Sequence, residues 1–94
     1  MQVRRIAHKG LRRLYEDNAS KGLSADTVDK LRKMLAFLDA MHDPEELRAL
    51  PTWNAHMLTG DRKGTWSLHV TRNWRMTFRI EDREIIDIKL EDYH

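Results

Sequence analysis

Hydrophobic positions along the chain change their spacing halfway. Leu11, Leu14 and Tyr15 fall at helical spacing after Gly10, which predicts a first helix ending near Asn18. Ser24 is placed as an N-cap, with Asp26 in the positive first turn of a second helix. Val28, Leu31, Leu35 and Leu38 then form an apolar stripe that Met34 and Met41 widen. The helix ends near His42-Asp43-Pro44, because the residue before proline resists helical geometry. Pro44 to Leu50 allow one further turn, which Pro51 closes.

Beyond Gly64 the period drops to two. Trp66, Leu68 and Val70 alternate with Thr65, Ser67, His69 and Thr71; Trp74, Met76, Phe78 and Ile80 alternate with Arg75, Thr77 and Arg79. Arg72-Asn73 reads as a tight turn, Glu81-Asp82-Arg83 as a second one, and Glu84 to Leu90 as a third strand. Gln2 to Ile6 suit a short edge strand. The expected product is a single α+β domain over residues 1–94, with two N-terminal helices on one face of an antiparallel sheet. Trp66 and Trp74, on the aliphatic face, are expected in the core. The opposite face carries His69, Arg75, Thr77 and Arg79 and is expected to be polar, cationic and open.

Ninety-four residues leave room for one modest core, so a site belongs in a shallow cleft, which suits a polymer or a large partner. The absence of cysteine excludes disulfides, thiolate metal sites and a cysteine nucleophile. No apolar run spans a membrane, and the first residues do not form a secretory signal, which sets a soluble cytoplasmic expectation. Net charge is only +2, but its distribution is uneven. From Arg62 to Arg79 the ionic residues are Arg62, Lys63, Arg72, Arg75 and Arg79, with no acid among them. Such a segment fits phosphate contacts, or a solvated sheet face whose charges serve solubility.

Metal-free RNA cleavage needs a base for the 2′-hydroxyl, a cation for the phosphate and an acid for the departing 5′-oxygen. Histidine suits both proton roles and arginine the phosphate. His56 precedes a polar turn, and Glu91-Asp92-Tyr93-His94 places acids, a phenol and an imidazole after a strand. Composition alone also fits an idle surface His56, a turn role for Asn73 and a frayed tail. The histidines lack metal-ligand spacing, and no phosphate-binding glycine loop or nucleophile elbow occurs, so no cofactor is expected.

The stretch from His56 to Phe78, with its Gly-Asp-Arg-Lys-Gly and Asn-Trp-Arg motifs, resembles the HigB toxins of the RelE/ParE superfamily. The ending Leu90-Glu-Asp-Tyr-His and the opening His8-Lys9-Gly10-Leu11 fit the same pattern. The resemblance implies a RelE-like α+β fold and ribosome-dependent mRNA cleavage, giving a 2′,3′-cyclic phosphate and a 5′-hydroxyl. It also implies a HigA-like helix-turn-helix antitoxin, through which alone the toxin meets operator DNA. By this match His56, Arg75, Asp92 and His94 are the candidate catalytic residues and Asn73 and Tyr93 candidate RNA contacts; the acid-free basic segment adds Arg62, Lys63 and Arg79 as RNA contacts. Thr59 departs from the lysine common at its position; Arg62 or Lys63 then has to supply that charge, or the enzyme is weak. Two other functions stay open on the same fold: a ParE-like DNA gyrase inhibitor, and a weakened toxin acting mainly by binding its antitoxin.

Overall fold

The computed structural model describes residues 1–92. Its first helix, α1, runs over Lys9–Asp17, and the second, α2, over Ala25–Ala40. His8 caps α1: its Nδ1 accepts the Leu11 N–H at 3.2 Å. Asn18 ends that helix in the left-handed region, at φ 54°, a conformation asparagine tolerates. Gly10 lies in a crowded spot: a Cβ there would come within 3.0 Å of His8 and Leu23 side-chain atoms, so a larger residue makes those side chains shift.

The stripe of α2 is buried as its periodicity predicts: Leu31, Met34 and Leu38 are wholly enclosed, and Val28 and Leu35 nearly so. Ser24 stands at the N-cap, but its hydroxyl makes no capping bond. The bonds at this end instead converge on its carbonyl, which accepts from the Thr27 hydroxyl and from the Thr27 and Val28 N–H groups. After α2, Pro44–Ala49 form a 3-10 turn closed by a reciprocal Asp43–Glu46 capping box. Leu47 from this turn enters the core, and Trp53 packs edge-on against Phe37 at 5.5 Å.

Five strands make one sheet: β1 (Gln2–Val3), β2 (His56–Met57), β3 (Thr65–His69), β4 (Trp74–Glu81) and β5 (Glu84–Asp92), in the order β1-β5-β4-β3-β2. All pairings are antiparallel except β1 with β5, because both helices intervene between β1 and the rest of the sheet. The β4–β5 hairpin turns at Asp82 and Arg83, both at positive φ, the backbone that a two-residue hairpin turn demands. Trp66, Leu68, Val70, Met76, Phe78, Ile85 and Ile88 meet the helices in one core.

Trp74 departs from expectation. It is 40% exposed, at the first position of β4 opposite Asp92, and lies over an apolar hollow edged by His8, Leu23, Val70 and Leu90. The alternation places it on the correct face, but that end of the sheet runs past the helices' cover.

Candidate active site

The sheet face turned away from the helices is organised in rows. Residues paired across an antiparallel ladder share a face, so register fixes which polar side chains meet. One row holds His56, Ser67, Thr77 and Lys89 across four strands. The next holds His69, Arg75 and Glu91. Thr65 and Arg79 lead the row beyond Thr77, toward the β4–β5 turn. Ser67 and Thr77 are buried beneath longer side chains, and the Ser67 hydroxyl has no hydrogen-bond partner among the described residues.

His56 lies on β2, half-buried, with its Nδ1 2.8 Å from the Asn54 carbonyl oxygen. A carbonyl only accepts, so this contact places the proton on Nδ1 and leaves Nε2 of the neutral ring as a base. Asn54, at φ 44°, turns the chain so that its carbonyl meets the ring two residues on.

Glu91 is the hub of the neighbouring row. Arg62, projecting from the Gly60–Arg62 turn, donates to both its oxygens, at 2.7 and 2.5 Å. The Thr77 hydroxyl donates to Oε2, and the Arg75 guanidinium approaches Oε1 at 3.7 Å. The Arg62 hydrogen bonds above all, with the Thr77 bond and the charge of Arg75, hold the Glu91 carboxyl down at about 2 despite its partial burial. The same contact raises Arg62.

These contacts qualify the expectation of a cationic face. The run from Arg62 to Arg79 has no acid in its own sequence, but β5 lays Asp87 and Glu91 beside it. Asp87 lies 3.9 Å from Arg79 and 2.9 Å from Arg5. A polar cleft of about 420 Å³ opens on this face, with Arg62, Lys63, Arg79 and Lys89 as its cations and Asp61 and Asp87 as its acids.

The residues singled out in sequence divide accordingly. Arg75 and Arg62 converge on Glu91, and His56 stands on the same face across β3. Asn73 is exposed in the turn just before β4, at the same end as Arg75. Asp92 also lies at that end, paired with Trp74 and so alternating with Glu91. Lys63 and Arg79 line the cleft, Arg79 four residues along β4 from Arg75 and so about 13 Å away. Thr59 is exposed at the start of the Gly60–Arg62 turn. Tyr93 and His94 lie outside the described residues. Sequence reasoning missed Glu91 as an anchor and Lys89 as a cleft residue. Among the described residues, no group of three or more His, Asp or Glu is arranged to hold a metal, and no helix is long and apolar enough to cross a membrane.

Helices on one face of a five-stranded, mostly antiparallel sheet with a polar cleft opposite define the fold of small bacterial RelE-like toxins. Solved structures of this shape include a point mutant of YafQ from E. coli (TM-score 0.59, 15% identity, 99% of this chain and 94% of that one). A YoeB/ParE toxin from Agrobacterium tumefaciens is similar too (TM-score 0.55, 16% identity, 97% of this chain and 99% of that one). At such identities the likeness establishes the fold alone. Sequence is more specific: the model of the HigB-like toxins, described as RelE-like toxins of type II toxin–antitoxin systems, matches residues 4–94. The protein named endoribonuclease HigB from Proteus vulgaris is 35% identical over 92 residues, 98% of this chain and 99% of its own length. The chain belongs to the HigB-like toxin family, whose members are paired with an antitoxin.

Proposed function

We propose that this protein is a ribosome-dependent endoribonuclease that cuts mRNA by metal-independent acid–base chemistry. What supports the reading is one juxtaposition: His56, with Nδ1 committed to Asn54, shares a sheet face with Arg75, beside a polar cleft. The relative's name, endoribonuclease, points the same way.

In this mechanism an imidazole takes the proton of the 2′-hydroxyl, whose oxygen attacks the adjacent phosphorus. Arg75 meets the charge that grows on the non-bridging oxygens. A second acid–base group protonates the 5′-oxygen as the P–O5′ bond breaks, leaving a 2′,3′-cyclic phosphate and a 5′-hydroxyl. His56 and His94 take the two proton roles; Asp92 ends β5 on the face opposite Arg75, so the imidazole it orients or charges is one at the strand's end and not His56. Asn73 and Tyr93 contact the flanking nucleotide, while Lys63 and Arg79, with Arg62, serve the RNA backbone. Arg62 is already engaged with Glu91, so Lys63 is the better replacement for the lysine that Thr59 lacks.

The antitoxin is assigned as a HigA-like helix-turn-helix protein whose acidic side chains meet the cleft cations, and through which the toxin reaches operator DNA. The enzyme acts in the cytoplasm. The direct test incubates purified protein with mRNA, free and on ribosomes. Cleavage on ribosomes that leaves 5′-hydroxyl ends is expected. Inactivity on translated message, with inhibition of DNA gyrase, would replace this reading by the ParE-like one.

A further inference from the structure

Glu91 poses a chemical problem. A carboxylate on a face that must receive phosphate repels the substrate, yet this one is built in by three side chains. Arg62 grips both oxygens, Thr77 donates to one, and Arg75 stands 3.7 Å from the other. It is also well covered, its side chain only 24% exposed. Exposed ion pairs between flexible side chains hold little, whereas a two-pronged arginine–carboxylate pair supported by a third donor fixes orientation. Arg62 belongs to a short 3-10 turn, and Arg75 rises from the sheet itself. Glu91 is the partner that ties the two together.

We propose that Glu91 is a positioning residue, which orients the Arg75 guanidinium for the phosphate and holds the Gly60–Arg62 turn on the sheet as a wall of the cleft. The proposal rests on the reading of Arg75 as the phosphate-binding cation. Two cations around one anion leave the trio with a net positive charge, still attractive to a phosphate, with the Arg62 guanidinium plane set by two hydrogen bonds and Arg75 drawn in by charge. Without the carboxylate charge, Arg62 and Arg75 repel one another and each samples other rotamers. Ground-state attraction for RNA then rises while alignment for the transition state is lost. Removing the Arg62 charge does the reverse for binding, since Glu91 turns wholly onto Arg75 and cancels it.

The opposed effects make a test that a purely structural role fails. Cleavage of a short mRNA on ribosomes is measured for the wild type, Glu91→Gln, Arg62→Gln, the double variant and Arg75→Ala, with thermal unfolding followed in parallel. Glu91→Gln is expected to lower kcat roughly 10- to 100-fold, the scale of a small misplacement at a reacting centre, with KM unchanged or lower. Arg62→Gln is expected to lower kcat and raise KM. The double variant is expected to restore KM toward the wild type, with kcat no lower than in the worse single variant. Wild-type kcat in Glu91→Gln, or kcat losses that multiply in the double variant, would overturn the proposal. If Glu91→Gln does not fold, Arg62→Gln decides: a wild-type kcat there overturns it. Arg75→Ala cutting at the wild-type rate would instead overturn the reading on which the proposal rests.

Discussion

Glu91 stands directly opposite Arg75 in the β4–β5 ladder because one extra residue is accommodated between them and the hairpin turn. Near the turn Ile80 pairs with Ile85 and Arg79 with Ile86; beyond it Thr77 pairs with Lys89 and Arg75 with Glu91, so the register slips by one. Asp87, at φ 54°, lies in this bulge. The slip lets Ile85, Ile88 and Leu90 all keep to the helix side despite their odd spacing, and it turns Glu91 toward the polar face.

The backbone at Asp87 therefore limits what can replace it. Asp87→Val should destabilise the fold by at least about 1–2 kcal/mol, since a β-branched residue resists the left-handed region. Asp87→Gly suits the backbone and forfeits only the exposed Arg5 and Arg79 pairs, so it should cost under about 1 kcal/mol. Denaturant midpoints of the two variants check the ordering, and equal losses would contradict it.

Acid should expose the Glu91 anchor. Its folded carboxyl titrates at about 2, below the ordinary 4.5. A depressed carboxyl adds stability that is complete above about 4.5 and is lost as pH falls toward 2, on the order of 2–3 kcal/mol. Glu91→Gln removes that dependence. Unfolding free energies between pH 5 and pH 2 should therefore fall less steeply in the variant than in the wild type; parallel curves would show that the carboxyl is not held as described.

Leu35 is 3% exposed, in the stripe by which α2 covers the sheet. Leu35→Ala should cost about 2–5 kcal/mol, a large share of the stability of so small a domain. Chemical denaturation measures it directly, and a change below about 1 kcal/mol would place the core elsewhere.

How far the sequence could be read follows from where information lies along a chain. Local periodicity carried α2 and the strands β3 and β4, because each element's burial repeats with its own geometry. Proline marked the end of the helical half for the same local reason. The edge strand expected within Gln2 to Ile6 is there as β1, but its parallel pairing with β5 was not legible, since a two-residue strand has almost no pattern of its own. Trp74 misled because alternation gives the face and not how far the helices extend over it. Glu91 was hidden by the bulge: carrying the turn's register forward unshifted sets Leu90 opposite Arg75. The acid-free run from Arg62 to Arg79 likewise gave no sign of the carboxylates that β5 brings alongside, because strand pairing, not sequence proximity, decides neighbours on a sheet.

Chelation separates side-chain chemistry from metal chemistry. Every proton in the proposed cleavage moves between a side chain and an RNA oxygen, so activity should survive removal of divalent ions when ribosomes are kept intact by other means. Activity lost under those conditions and restored only by one transition metal would refute the mechanism. His56→Ala, in the same assay, should cost about 10²–10⁴-fold if that ring moves a proton.

The central claim is that Arg75 serves the transition state of RNA cleavage, and its most direct test maps new 5′ ends on translated messages in cells induced for the wild type and for Arg75→Ala. The wild type should produce 5′-hydroxyl ends within coding regions. Arg75→Ala should reduce them by about 10²-fold or more, with the protein folded and still bound by its antitoxin. Undiminished ends in the variant, or growth arrest by the wild type with no new ends at all, would contradict the account.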